Sequence, residues 1–504
     1  MAIVILKLGQ LDSFAASFCP MNFITSVRFT FFTGLLAGGP LAMWTSYLIA
    51  AILTCVSAAV LAEICSALPL SGSVYIWAAE AAGPRYGRFI GLIVAWWMLA
   101  AWMAWTAVNA QASADYLLAL FNVYDLEFPG GVTNDNVKWR VLVWAVSEGF
   151  LLLAIVPNYL PQSWYPPLLR TSLLLIMLDF LLCLIWLPIR VSKSYGLRTS
   201  RQAFLQTNNG TGAPPGWNWL LSFFYPSSTL VSFDAAGHIA EETKDASNVA
   251  ARSIFTSVVA IGVCGFSTTI LFLFCAPLDS TQNAILESSS QPFVVIYGMA
   301  LGHGGATFMA VLAALGVLFS NSVSILTTSR LVFALARDGA LPFSSWVQKT
   351  TNGRPQNAVT LMYIVPAVLL CAILPSSVAF TSLVSGGVAP MVASYGLIAL
   401  MRLIMTPNGF KRTKFSLGKA SRIFYAISAA FNMLIFAVNV SPLAFPVSAQ
   451  TLNFAGVIVG AITIFGILSF LFISEDKWLR REQIHGGVDS EVSLHDTNIS
   501  ADTK

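Results

Sequence analysis

The chain has 504 residues, 56% of them hydrophobic and only 10% charged, with a net charge of +4. A soluble globular protein needs a more charged surface, so that class is excluded. The scattered basic residues argue against nucleic acid as a partner, and the continuous rather than alternating apolar runs exclude a transmembrane β-barrel.

Runs long enough to cross about 30 Å of hydrocarbon predict an all-α integral membrane protein with the lipid bilayer around it. About twelve spans are expected, at 13–38, 40–67, 89–120, 140–158, 168–189, 217–240, 252–276, 304–335, 357–375, 378–403, 422–441 and 450–473. Residues 1–12 read as a short cytoplasmic N-terminus, and Met1–Gln10 is too short for a cleavable signal peptide. Spans 13–189 and 217–403 superpose as two five-helix units, joined by an outer loop at 190–216. An odd number of helices per unit forces opposite orientations, the pattern of an inverted repeat. A basic cytoplasmic loop at 404–421, helices 11–12 at 422–474 and a polar cytoplasmic tail at 475–504 complete the expected plan.

The positive-inside bias places both termini in the cytoplasm. Arg85, Arg88, Arg170, Lys244, Arg252, Arg337, Lys349, Arg354 and the run Lys411, Arg412, Lys414, Lys419 then fall inside. Loops 277–303, 376–378 and 442–449 carry no Lys or Arg and fall outside. The segment 190–201 disagrees, with Arg190, Lys193, Arg198 and Arg201, but it leads to Asn209-Gly210-Thr211, a candidate glycosylation acceptor for the outer side. All seven cysteines lie in apolar segments and read as core residues, not a disulfide framework.

Two spans are interrupted at matching places. The first is broken by Ser17-Phe18-Cys19-Pro20-Met21-Asn22, the sixth by Tyr225-Pro226-Ser227-Ser228-Thr229. A break inside a membrane frees peptide groups at high cost and is tolerated where they line a cavity or meet a neighbour. Paired breaks opening two halves of a chain point to a transporter's binding site. A half-helix starting near Asn22 would present the amides of Phe23, Ile24 and Thr25 to an anionic group. Freed carbonyls near Ser227–Leu230, with the hydroxyls of Ser227, Ser228 and Thr229, would suit an ammonium. Phe223, Phe224, Tyr225 and, in helix three, Trp96, Trp97, Trp102 and Trp105 offer aromatic faces to a cation. For each, ordinary packing is the competing reading.

Three motifs and the basic loop before span eleven then converge. After span two comes Ala62-Glu63-Ile64-Cys65-Ser66-Ala67-Leu68-Pro69-Leu70-Ser71-Gly72-Ser73-Val74-Tyr75, continuing to Gly83-Pro84-Arg85-Tyr86-Gly87. Span six ends in Ser232-Phe233-Asp234-Ala235-Ala236-Gly237-His238-Ile239-Ala240-Glu241-Glu242-Thr243, and span eight in Ser329-Arg330-Leu331-Val332-Phe333-Ala334-Leu335-Ala336-Arg337-Asp338-Gly339. Over about 13–475 the chain resembles the amino acid–polyamine–organocation transporters, most closely the fungal GABA and choline permeases. The resemblance implies a five-plus-five inverted-repeat (LeuT-like) fold with broken helices 1 and 6 and substrate between them. Unlike many amino-acid-transporting members, the first break here contains no glycine.

Ionisable residues inside the bilayer are functional candidates by default. Asp179 lies mid-span with no basic partner on its own helix, which makes it a candidate to exchange a proton; a salt-bridged structural role is the alternative. Arg28 either pairs with an unidentified acid or lines the outer vestibule. Asp234 is a candidate to orient or gate helix six. Glu63, Glu241, Glu242, Arg330 and Arg337 sit near inner helix ends, where holding a gate closed is the expected role. The four histidines form no metal-ligand pair, no phosphate-binding loop is present, and no cofactor or enzyme activity is expected. The expected function is secondary active transport of an amino acid or related amine (GABA-like), coupled to protons, at the plasma membrane or the vacuolar membrane. Choline, another quaternary amine or a polyamine is the alternative substrate, and a non-transporting nutrient sensor is the alternative of another class.

Overall fold

The apolar runs become helices, because a helix is the one open-ended structure that satisfies its own backbone in lipid. The computed structural model describes residues 8–277, 289–375, 379–407, 413–448 and 452–473, whose only β-pairing is in isolated bridges. The tail at 475–504, Lys411 and Arg412 of the basic loop, and the first seven residues lie outside the described set.

The first repeat holds α1 (Gln10–Met21), α2 (Phe23–Leu36), α3 (Gly39–Ala67), α4 (Ser73–Leu118), α5 (Val137–Ile155) and α6 (Tyr165–Val191). The second holds α7 (Pro215–Leu221), α8 (Phe224–Thr229), α9 (Ala235–His238), α10 (Ala246–Cys275), α11 (Pro292–Arg337), α12 (Gln356–Leu370) and α13 (Ala379–Ile404). Two further helices follow, α14 (Ser421–Val440) and α15 (Ala455–Phe472). Ten helices among the described residues are long and apolar enough to cross a membrane. The broken helices, α1–α2 and α7–α9, complete the expected twelve crossings.

The inverted repeat is written most plainly in α4 and α11. Each runs 46 residues and is bent at one glycine, Gly83 (φ 72°, ψ −178°) and Gly302 (φ 74°, ψ 176°). That backbone region is essentially restricted to glycine. In each case ten helical residues precede the bend, nine of them buried in α4 and six in α11. This corrects the expectation that 277–303 is an outer loop: 292–301 is helical, and Phe293, Val294, Ile296 and Tyr297 are fully buried. Pro292 starts that helix at a position where its missing N–H costs nothing.

Packing follows small residues. Gly265 of α10 lies so close to Tyr47 of α3 that a Cβ there would sit 1.9 Å from the phenol oxygen, and a Cβ at Gly262 would meet Ala51 at 3.4 Å. Helices without a hydrophobic drive toward each other in lipid associate through such close approaches. Helices α4 and α13 form the most extensive pair, while α15 stays at the periphery.

Candidate functional site

The first break is one residue long. Ser17 to Met21 stay helical, and the chain leaves the helix only at Asn22 (φ 28°, ψ 64°). Pro20 cannot donate a backbone hydrogen bond, but one missing N–H does not unwind the five residues before it. The Cys19 carbonyl instead accepts from the Asn22 amide (3.0 Å) and from the Ser320 hydroxyl of α11 (2.6 Å). Because the first helical bond of α2 runs from Ser26 to Asn22, the amides of Phe23, Ile24 and Thr25 precede it, and no side chain caps them. The Asn22 side chain is 4% exposed, and neither of its polar atoms has a partner among the described residues.

The second break is displaced from its expected place. Phe224 to Thr229, including Pro226, form α8, and the chain unwinds at 230–234, with Ser232 at φ 75°. Pro226 sits in the first turn of α8, where a proline is tolerated; its effect is to tighten the preceding turn, where Phe223 and Tyr225 bond back to Leu220 and Ser222. The last amide bond, from Leu230 to Pro226, leaves the following carbonyls at the end of α8 without a helical partner.

Side chains divide between the breaks and the packing around them. Ser17 bridges the two broken helices: its hydroxyl donates to the Phe233 carbonyl (2.8 Å) and accepts from the Ala236 amide (3.0 Å). Ser228 meets Thr30 of α2 at 3.2 Å, and Ser227 accepts from the Asn439 amide of α14 at 3.0 Å. The Thr229 hydroxyl and the Trp102 indole N–H are buried without a partner among the described residues. Phe18 stacks on Phe14 (5.3 Å), the Cys19 thiol donates to the Leu169 carbonyl (3.8 Å), and Phe224 is buried. Tyr225 turns away from the unwound stretch, its phenol 2.7 Å from Thr269 of α10 and its ring against Tyr47. Trp96 and Trp97 face α15 through Phe465 and Thr463, whereas Trp102 faces helix six and Trp105 abuts Gly387 of α13. Beside the second break, lined by Ser227, Leu230, Phe233, Tyr395 and Asn432, lies a cavity of about 10 Å³. That is room for about one water, so a substrate-sized molecule requires the helices to part.

Arg28 and Asp179 meet across 151 residues. The guanidinium grips both carboxylate oxygens at 2.6 and 2.7 Å, the two side chains are 0% and 3% exposed, and Tyr116 and Tyr297 face the cation at 5.7 and 5.5 Å. At the opposite end of the bundle, Arg330 pairs with Glu242 (2.9 Å), Glu241 accepts from the Ser71 amide (3.0 Å) with Arg337 3.7 Å away, and Tyr75 donates to Asp338 (2.6 Å). Glu63 holds the basic loop, accepting from the Leu417 amide (2.8 Å), Ser421 (3.1 Å) and Tyr425 (2.5 Å). Asn209 is exposed, its amide donating to the Ala213 carbonyl at 2.9 Å.

Sequence reading passes over one constellation. His238 Nε2 lies 3.0 Å from Asp234 Oδ2, His238 Nδ1 lies 2.6 Å from the Ser73 hydroxyl, and Tyr395 donates to Asp234. All four residues are buried. The i, i+4 spacing of Asp234 and His238 was the available signal; Ser73 and Tyr395 come from α4 and α13 and leave none.

Residues 8–464 match the profile of the family described as amino acid permease. The chain belongs to that family. Among this permease's relatives, the thiamine transporter thi9 of Schizosaccharomyces pombe is 43% identical, over 93% of this chain and 83% of the relative. The amino-acid permease BAT1 of Arabidopsis thaliana is 28% identical, over 94% of this chain and 92% of its own. In fold, the permease is similar to a crystal structure of the Eremococcus coleocola manganese transporter, with TM-score 0.54, 14% identity and 92% of both chains covered. The family and the fold are those of transporters, not enzymes.

Proposed function

We propose that this permease is a secondary transporter of a small organic cation, with thiamine as the leading substrate, bound between Asn22 and the unwound stretch 230–234. The carrying observation is the electrostatics of the second break. Carbonyls at the end of α8, the ring of Phe233 and the buried Asp234 converge there, and the buried guanidiniums of Arg28 and Arg330 are already paired with Asp179 and Glu242. A thiazolium is a quaternary cation that cannot donate a hydrogen bond, so dipoles and aromatic faces are the groups suited to it. The unpaired Asn22 side chain and Trp102 and Thr229 offer hydrogen bonds to a neutral heteroaromatic ring such as an aminopyrimidine. The 43% relative supports the same substrate class.

A second reading has its own observation. The uncapped amides of Phe23, Ile24 and Thr25 suit a carboxylate, which with an ammonium at the second break describes GABA or another amino acid. Choline and polyamines share the cationic half alone. In either reading transport proceeds by alternating access, coupled to protons, with both termini cytoplasmic and the protein at the plasma or vacuolar membrane. The test is uptake of labelled thiamine, GABA and choline in cells lacking their own carriers. Saturable thiamine uptake competed by pyrithiamine-like cations but not by GABA supports the first reading, and the converse pattern the second. Surface protein that takes up none of them overturns transport in favour of a nutrient sensor.

A further inference from the structure

Among the described residues the buried carboxylate of Asp234 pairs with no lysine or arginine, and its neighbours are an imidazole and a phenol. We infer that the chain Tyr395–Asp234–His238–Ser73 is where the coupling proton binds, with His238 as its acceptor. The inference deepens the transport reading above and rests on it.

Two hydrogen bonds, Tyr395 to Asp234 and Ser73 with His238, flank a 3.0 Å approach of Asp234 Oδ2 to His238 Nε2 in which neither atom has a hydrogen-bond partner among the described residues; one end of the chain lies at the cavity and the other at the loop after helix two. Tyr395 lines the cavity beside the second break, and its ring lies 4.7 Å from Phe233, the residue that precedes Asp234. Asp234 ends the unwound stretch, and His238 sits on the turn of helix six that follows it. Ser73 begins α4 and closes the far end of the chain. Without a proton the relay carries one buried negative charge, which low dielectric makes costly; with a proton on His238 the same atoms form a neutral ion pair. When His238 is neutral, Nδ1 accepts from the Ser73 O–H. On protonation the new N–H at Nδ1 donates to Ser73 Oγ, whose own hydrogen rotates to another acceptor. The N–H forms as an O–H bond of the hydronium that delivers the proton breaks, and no other covalent bond changes.

The surrounding groups leave the assignment to this pair. From α13 the titratable neighbour is Tyr395; from α4 the facing groups are Ser73, Trp77 and, with ring centroids 5.7 Å from His238, Trp102. From α1 it is Ser17, whose hydroxyl is occupied by Phe233 and Ala236. The helices α10 and α11 also pack on this turn, and α11 directs Arg330 to Glu242 rather than to Asp234. Further along the same segment, Glu241 is held by the Ser71 amide and Arg337. Any opening that moves helix six away from α4 separates His238 from Ser73 and lets water reach the proton.

The experiment uses the full chain in proteoliposomes with labelled thiamine and GABA and the membrane potential clamped at zero. An inward gradient of one pH unit supports about tenfold accumulation by a one-proton symporter. His238→Gln is expected to exchange substrate in counterflow but to abolish accumulation above equilibrium. Accumulation by His238→Gln equal to that of the unsubstituted protein overturns the assignment. Should the unsubstituted protein exchange substrate but never concentrate it under the pH gradient, proton coupling itself fails, and the inference with it; with no exchange of either substrate, the transport reading fails. Should His238→Gln reach the membrane without exchanging, Ser73→Ala decides: its uphill uptake is expected to shift its pH midpoint by about half a unit or more, and an unmoved midpoint overturns the proposal.

Discussion

Replacing Asp179 by Asn is the most informative perturbation of the bilayer-buried charges. The substitution keeps the shape of the side chain and removes its charge, leaving Arg28 with no counter-ion at a site where it is 0% exposed. Of the two short hydrogen bonds, at 2.6 and 2.7 Å, one loses its anionic acceptor and the other must be lost because an amide nitrogen cannot accept from a guanidinium. The remaining contacts, to Tyr116 at 3.3 Å, the Cys183 sulfur at 2.8 Å and the faces of Tyr116 and Tyr297, soften the loss without replacing the carboxylate's charge. Breaking a buried pair on one side costs about 3–5 kcal/mol, whereas replacing both partners by apolar residues of similar volume is often neutral or stabilising. The expected result is therefore an ordered series in a thermal melt of the purified protein. Asp179→Asn melts well below the unsubstituted protein, and Arg28→Met with Asp179→Leu recovers most of the difference. Uphill uptake under a pH gradient in the double variant then tests the mechanism: retained accumulation means that Arg28 and Asp179 hold helices one and five together and neither carries the proton. An Asp179→Asn protein with an unchanged melt, or a double variant no better than the single one, refutes the reasoning.

Gly302→Ala isolates a backbone cost, since a Cβ there meets no atom within 4 Å while φ is +74°; the melt is expected to drop by about 1–3 kcal/mol of stability, and an unchanged transition counts against the bend being strained for L-residues. Ser17→Ala removes the hydroxyl that serves both Phe233 and Ala236, leaving two buried backbone groups unpaired at about 1–3 kcal/mol each; lowered stability with lost exchange is expected, and Ser17→Thr should rescue it. Glu63→Gln weakens the hold on the basic loop, so trypsin should cut at Lys414 and Lys419 faster in detergent-solubilised protein, with full protection counting against Glu63 as the anchor.

Much of the architecture was legible in the chain. The number of crossings, the two broken helices and the five-plus-five arrangement follow from apolar runs and their interruptions, because hydropathy adds up residue by residue along a span. The position of unwinding was less legible. Pro20 and Pro226 mark where a helix is weakened, yet the chain leaves the helix at Asn22 and at 230–234, where side chains such as Ser17 and Ser320 take up the freed backbone groups. The buried helix 292–301 was missed for a related reason: its connection reads as a loop until α4 supplies its symmetry partner.

By itself the sequence determined that this protein spans a membrane, that two of its helices are interrupted, and that a few charged residues are held within the bilayer. Tertiary structure alone decided how those charges are matched, Arg28 with Asp179 across 151 residues and Asp234 with His238, Ser73 and Tyr395 from three elements. Local pattern states which groups must find partners in a low-dielectric medium. Which partners they find depends on the faces that packing brings together, and no periodicity along one helix encodes that.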